Sequence, residues 1–152
     1  MFSARDLALR VNRGLKNSKC FTENLVGSCA VGSHIFVEEY RKHFGDIDLV
    51  LAYQKGNDYN AHCWAETKDK IIDVSAIQLF ISDNVYIAPI QMMDIAYSIY
   101  RPLHRNKQAL TSINTTWHVS QRINSFRWRW KDDRLILSRK KSWTRSLLSN
   151  LS

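Results

Sequence analysis

Three residues have the types and the spacing to do chemistry together. Cys29 stands in GSCAVGSHIF, His62 in YNAHCWAE and Asp73 in KIIDVSAIQLF. A thiol is a good nucleophile only as its thiolate. An imidazole beside it can take the proton and return it, and a carboxylate can fix the imidazole tautomer and stabilise its charged form. The same residues also admit a metal site or simple core packing. Against the metal reading, Cys20, Cys63 and the histidines lack C-x-x-C and H-x-x-x-H spacing. Cys20, outside any predicted helix start, is the rival nucleophile.

The element that must carry Cys29 is a helix. Ser28 precedes a periodic run that ends before Gly45, and Arg41, Lys42 and His43 fill the last turn, where positive charge suits the helix dipole. The pattern predicts a helix from about Cys29 to Phe44 with Ser28 as N-cap. Ala30, Ser33, Val37 and Phe44 fall near one face, and Gly32 and Ser33 leave a slim side for a close neighbour. Cys29 then sits in the first turn, where unpaired N–H groups and the dipole lower a thiol's pKa. Those amides can also donate to an oxyanion, with Asn24 as a candidate side-chain donor. An earlier helix opens at Ser3 and Asp6, with Leu7, Val11 and Leu15 on its packing face and Gly14 weakening its end.

After the second helix the period changes to two. DLVLAYQ, YNAHCWAET and IIDVSAI read as three strands, joined by turns at KGND and KDK. If Lys68 and Asp69 form a two-residue turn, Thr67 pairs with Lys70 and Asp73 falls opposite Trp64. Asp73 is then diagonal to His62 on one sheet face, about 7–8 Å away between backbones, within side-chain reach. A three-residue turn would put the two on opposite faces. Cys63 points the other way and reads as a small buried hydrophobe. VYIAPI and MMDIAYSIY are ambiguous between strand and short helix. In SFRWRWKDDRLILS, Phe126, Trp128 and Trp130 alternate with Arg127 and Arg129, the pattern of a hairpin with one aromatic and one cationic face. The final RKKSWTRSLLSNLS reads as a short helix or a tail.

The 152 residues suffice for a single domain spanning 1–152, with a candidate catalytic core over 20–80. The 45% apolar content excludes a disordered chain, and no apolar run is long enough for a membrane span. The N-terminus lacks an apolar signal core, which makes a cytoplasmic location the expectation. Three cysteines without paired spacings suit free thiols. Charge is asymmetric. Residues 1–100 carry 10 Lys and Arg against 12 Asp and Glu, while residues 101–152 carry 12 against 2. That basic C-terminal part also holds four of the five tryptophans. It suggests an acidic partner (nucleic acid, a membrane surface or an acidic protein) met through Arg127, Arg129, Lys140 and Lys141, or else a merely solvated basic face. Trp128 and Trp130 with their arginines suit base stacking, or a core-facing stripe with a solvated back.

The three segments, taken in order over roughly residues 24–80, resemble the transglutaminase-like branch of the papain-like cysteine enzymes. In that family a helix starting at Cys precedes an H-A/C-W-V/A-E strand and an I-I-D-x-T/S strand. The 33 residues from Cys29 to His62 and the 11 from His62 to Asp73 are in keeping with its small bacterial members, among them leader peptidases of lasso-peptide biosynthesis and glutamine-deamidating effectors. The resemblance implies an α+β fold with the Cys-bearing helix packed on an antiparallel sheet. It implies Cys29 as nucleophile, His62 as general base and then acid, Asp73 as orienter and Trp64 as the wall or floor of the site. The activity implied is peptide cleavage, glutamine deamidation or acyl transfer on a protein or peptide, without cofactor or metal. Two departures stand out: Cys63 where Ala is commoner, and no counterpart of the oxyanion-hole Gln of papain-type members. The competing class is a non-enzymatic binding module that works through the basic C-terminal surface.

Overall fold

The computed structural model describes residues 2–79, 81, 83–106 and 117–140. The fold is α+β. Helix α1 (Ala4–Asn17) starts with a reciprocal capping box. The Ser3 hydroxyl accepts from the Asp6 N–H, and the Asp6 carboxylate accepts from the Ser3 N–H at 2.8 Å. Its apolar stripe of Leu7, Val11 and Leu15 is buried. Helix α2 (Cys29–His43) is buried all round over its first nine residues and forms the centre of the structure. Gly45 follows it at φ +107°.

Beneath α2 lies an antiparallel sheet of β1 (Asp48–Gln54), β2 (Asn57–Glu66), β3 (Lys70–Asp73), β4 (Tyr86–Pro89) and β5 (Tyr100–Asn106), in the spatial order β4-β3-β2-β1-β5. One sheet face, with Leu49, Leu51, Cys63, Ala65 and Ile72, packs on α2 in the main core. The other, with Val50, Ala52, Trp64 and Ile71, is covered by Tyr97 and Tyr100. Short 3-10 turns span Ala76–Leu79, Ile90–Met92 and Ile95–Ile99, the last placing Tyr97 on that second face. The slim side of α2 is used by α1: a Cβ on Gly32 would stand 2.8 Å from Leu15 Cδ1 and 3.2 Å from Val74 Cγ2. Ser33, on the sheet side, donates to the Cys63 carbonyl at 3.1 Å.

The C-terminal elements are α3 (Trp117–Asn124) and a hairpin of β6 (Phe126–Lys131) and β7 (Arg134–Arg139), with Lys131 paired to Arg134. The aromatic stripe faces inward. Phe126 is buried against Phe21, with centroids 5.2 Å apart, and Trp128 meets His34 edge-on at 5.3 Å. Arg127 and Arg129 are exposed on the other side.

Two expectations are corrected, one open segment is resolved and one element is added. IIDVSAI is a strand only to Asp73, because the Asp73 carboxylate accepts from the Ser75 N–H at 2.8 Å and turns the chain. Phe44 does not join the core; it is exposed and stacks on Phe2. MMDIAYSIY, open between strand and short helix, takes the short-helix form over Ile95–Ile99 and leads into β5. Helix α3 lies in a stretch to which the sequence pattern assigns no element. Lys141 and the segment after it lie outside the described residues. No helix among those described is long and apolar enough to cross a membrane.

Candidate active site

The register of β2 and β3 decides whether His62 and Asp73 can meet. Ala65 pairs with Ile72 and Glu66 with Ile71, and the Thr67 N–H donates to the Lys70 carbonyl at 2.9 Å. This is the two-residue turn that places both side chains on one face. The diagonal contact forms: His62 Nε2 lies 2.7 Å from Asp73 Oδ2. Pairing stops at Ala65, where the Asp73 turn draws β3 away. The edge of β2 beside His62 and Cys63 is thereby left free for the start of α2.

Both His62 and Asp73 are essentially excluded from solvent, at 1% and 0% exposure. A buried carboxylate needs donors, and Asp73 has three. Besides His62 it accepts from the Tyr97 hydroxyl at 2.7 Å on the same oxygen and from the Ser75 N–H on the other. Burial opposes a charge on His62, but the Asp73 carboxylate, with a smaller contribution from the Cys29 thiolate, pushes its pKa up to about 10. The imidazole is therefore an imidazolium at neutral pH. Trp64 packs beside it, ring centroids 5.9 Å apart, with its Nε1 donating to Glu66 at 3.0 Å. Tyr100 closes the other side at 5.8 Å.

Cys29 is the first residue of α2 and is nearly buried. Its thiol is held well below the usual range. A hydrogen bond from the Cys63 thiol contributes most and burial opposes it; the hydrogen bond and charge of His62 add to the lowering. Cys63 moves the opposite way, raised by that contact with Cys29 and by burial. We assign the thiolate to Cys29, because it is the one of the pair that faces the imidazolium. With His62 Nε2 taken by Asp73, Nδ1 is the ring nitrogen left for the thiol. Cys63 does face away from His62, as strand alternation requires. It is nevertheless part of the site, because the thiol of Cys29 sits at the strand edge and reaches both.

Ser28 occupies the N-cap position but does not cap. Its backbone is helical (φ −88°, ψ −14°), whereas a capping residue is ordinarily extended. Its hydroxyl instead lies 3.0 Å from the Ser75 hydroxyl and accepts from Gln78 Nε2 at 3.1 Å. The first intrahelical bond is Gly32 N–H to the Ser28 carbonyl. The N–H groups of Cys29, Ala30 and Val31 precede it and receive no side-chain cap. They are the natural donors to an oxyanion formed at Cys29. The approach loop is bent sharply, with Leu25 at φ +56° and Gly27 at φ +86°. Gln78 Nε2 pins it by a 2.7 Å bond to the Leu25 carbonyl. Holding a leucine in the left-handed region costs about 1–3 kcal/mol, which the surroundings must offset.

Two clefts meet here. One, of about 240 Å³, is lined by Cys29, Cys63, Gln78 and Arg122. The other, of about 370 Å³, is lined by His62, Tyr100, Leu79 and Ile99 and shares Val26, Asn60, Ala61 and Gln78 with the first. Asn24 is exposed in the turn before α2 and lines neither cleft. The helix amides stand where Asn24 was expected; Gln78 lines both clefts, but its Nε2 is engaged by the Leu25 carbonyl and the Ser28 hydroxyl. Cys20 is half-buried in a loop, its thiol 3.7 Å from the Ser18 carbonyl. Among the described residues no group of three or more His, Cys, Asp or Glu is arranged to hold a metal ion. Tyr97, Gln78 and Arg122 come from segments with no motif. No signal in the sequence singles them out, except that Gln78 lies inside the KIIDVSAIQLF stretch.

No family model, curated protein or solved structure matches this chain.

Proposed function

We propose that the protein is a cysteine-dependent amide hydrolase or acyl transferase of the transglutaminase-like type, acting through Cys29, His62 and Asp73. The observation that supports this best is the meeting of a helix-start thiol, a buried imidazolium and a three-times-bonded carboxylate beside an open cleft. The Cys29 thiolate attacks an amide carbonyl carbon, and the resulting oxyanion is received by the free N–H groups of the helix start. As the tetrahedral species collapses, the C–N bond breaks and the imidazolium gives its proton to the departing nitrogen. A thioester remains. His62, now neutral, takes a proton from water or an acceptor amine, which attacks the thioester and frees the thiolate. Asp73 keeps the ring in one tautomer throughout, and Tyr97 holds Asp73.

Water as acceptor makes the enzyme a peptidase or, on a glutamine side chain, a deamidase; an amine makes it a transferase. The test is an assay of ammonia release from glutamine-containing proteins run beside a peptide-cleavage assay, with Cys29→Ala as control. Activity lost in that variant supports the proposal. Silence in both assays, with no difference from Cys29→Ala, contradicts it. A non-enzymatic binding module is favoured by one other observation. Arg127, Arg129, Lys131 and Arg134 share the outward face of the β6–β7 hairpin, all exposed. If that face bound nucleic acid, affinity would fall steeply with salt.

A further inference from the structure

The cleft beside Cys29 continues past Gly27 into a larger one, of about 540 Å³, lined by Phe21, Gln121, Ser125, Phe126 and Arg139. Val26, Gly27 and Arg122 line both. The joint lining holds two arginines and no acidic residue. Arg122 projects from α3 over Gly27, where a Cβ would stand 2.8 Å from its Nη1, and its charge is felt at the Cys63 thiol. It donates to the Gly27 carbonyl at a long 3.4 Å. Arg139 lies at the inner rim of β7, over the Phe126 ring at 5.0 Å, and donates to the Cys20 carbonyl at 3.3 Å. Both side chains are exposed, and neither forms an ion pair among the described residues. Each is steadied by one carbonyl, with most of its five donors left over.

Resting on the reading of Cys29 as nucleophile, we propose that this cationic trough is the acyl-side recognition site, and that the substrate is an acidic peptide segment. Carboxylates next to the scissile amide meet Arg122 first and Arg139 farther out. A guanidinium fork suits a carboxylate in two-point contact. The basic character of the C-terminal part thus acquires a place: α3 brings one cation to the cleft of the thiol and β7 a second to the outer cleft that adjoins it. Nucleic acid is the less favoured occupant, because the Trp128 and Trp130 rings that would stack on bases are turned toward the core.

The test compares iodoacetate with iodoacetamide, reagents alike in size that differ by a carboxylate. Alkylation of Cys29 in the full chain is followed by peptide mass spectrometry for wild type, Arg122→Gln and Arg122→Lys. The iodoacetate-to-iodoacetamide rate ratio should fall roughly three- to fivefold in Arg122→Gln, the size of an exposed charge contact. It should be largely kept in Arg122→Lys, with the iodoacetamide rate little changed. In parallel, fluorescence anisotropy of a labelled glutamate-rich hexapeptide should show binding that weakens in Arg122→Gln, in Arg139→Gln and with added salt. An unchanged ratio with unchanged peptide affinity overturns the proposal. So does equal affinity for a lysine-rich hexapeptide, or tighter binding of an oligothymidylate. A slow iodoacetamide reaction in wild type would instead fault the nucleophile reading, and the anisotropy series would still decide the trough.

Discussion

Replacing Asp73 by Asn tests the electrostatic core of the site at nearly constant shape. The Asp73 carboxylate and the His62 ring touch at 2.7 Å, which puts their charge centres about 4 Å apart. At an effective dielectric near 20 that attraction is about 4 kcal/mol, or about three pKa units on His62. Without it the imidazole should fall from about 10 to about 7. The Ser75 N–H keeps an oxygen, and the Tyr97 hydroxyl can turn from donor to acceptor for the new amide. The amide NH2 also meets His62 Nε2 and is accepted there only by the neutral ring, so the variant should fold with the imidazolium further disfavoured. Its Cys29 thiol keeps an imidazolium beside it in acid solution but has lost at least half of it at about pH 7. The assay is the pH profile of Cys29 alkylation by iodoacetamide. In wild type the rate should already be near its plateau in mildly acid solution. In Asp73→Asn the step at which His62 gives up its proton should move down from about 10 to about 7 or below. Above neutral pH the variant should react faster than wild type, because a thiolate freed of its imidazolium is more basic and the stronger nucleophile. Profiles that coincide within about half a unit would refute the reasoning.

Other predictions follow from the same contacts. Tyr97→Phe keeps the ring against Trp64 and Tyr86 but removes a donor from a buried carboxylate, so the urea unfolding free energy should drop by about 1.5–3 kcal/mol. Cys63→Ala removes the largest contributor to the lowered Cys29 pKa, so the alkylation inflection should move to higher pH, whereas Cys63→Ser keeps a donor and should shift it less. Stability against pH separates the two charges. A raised His62 stabilises the fold fully below its unfolded pKa near 6.5 and loses that contribution as pH rises toward about 10, while the lowered Cys29 thiol contributes above its unfolded pKa near 9 and loses it as pH falls. In wild type the folded and unfolded states then bind equal numbers of protons at this pair between about pH 6.5 and 9, and the urea midpoint should be nearly flat there. In Cys29→Ser only the His62 contribution remains, and the midpoint should decline across that window.

What could be read from the sequence was local. The β2–β3 register followed from the Lys68-Asp69 turn and the alternation on either side of it, because a two-residue turn fixes which side chains face each other. The start of α2 followed from Ser28 and the periodic run, though not the role of Ser28, whose hydroxyl goes to Ser75 and Gln78 because Asp73 ends β3 and brings that segment back over the helix start. Cys63 is the buried core residue expected, but its contact with Cys29 was not foreseen, because strand alternation describes faces and the Cys29 thiol sits at an edge. Tyr97 and Arg122 were invisible because each reaches the site only through the tertiary fold: one from a 3-10 turn on the second sheet face, the other from an eight-residue helix too short to show a period. The inward turn of Phe126, Trp128 and Trp130 was one of two readings that alternation left open, and packing against His34 and Phe21 selected it.

The central claim is that Cys29 is an activated thiolate held by His62. Its most direct test is competitive labelling of the intact chain with limiting iodoacetamide in mildly acid solution, with the three cysteines read separately by peptide mass spectrometry. The account predicts that Cys29, though nearly buried, is labelled first, ahead of the more accessible Cys20 and of Cys63. Labelling of Cys20 before Cys29, or at an equal rate, would contradict it.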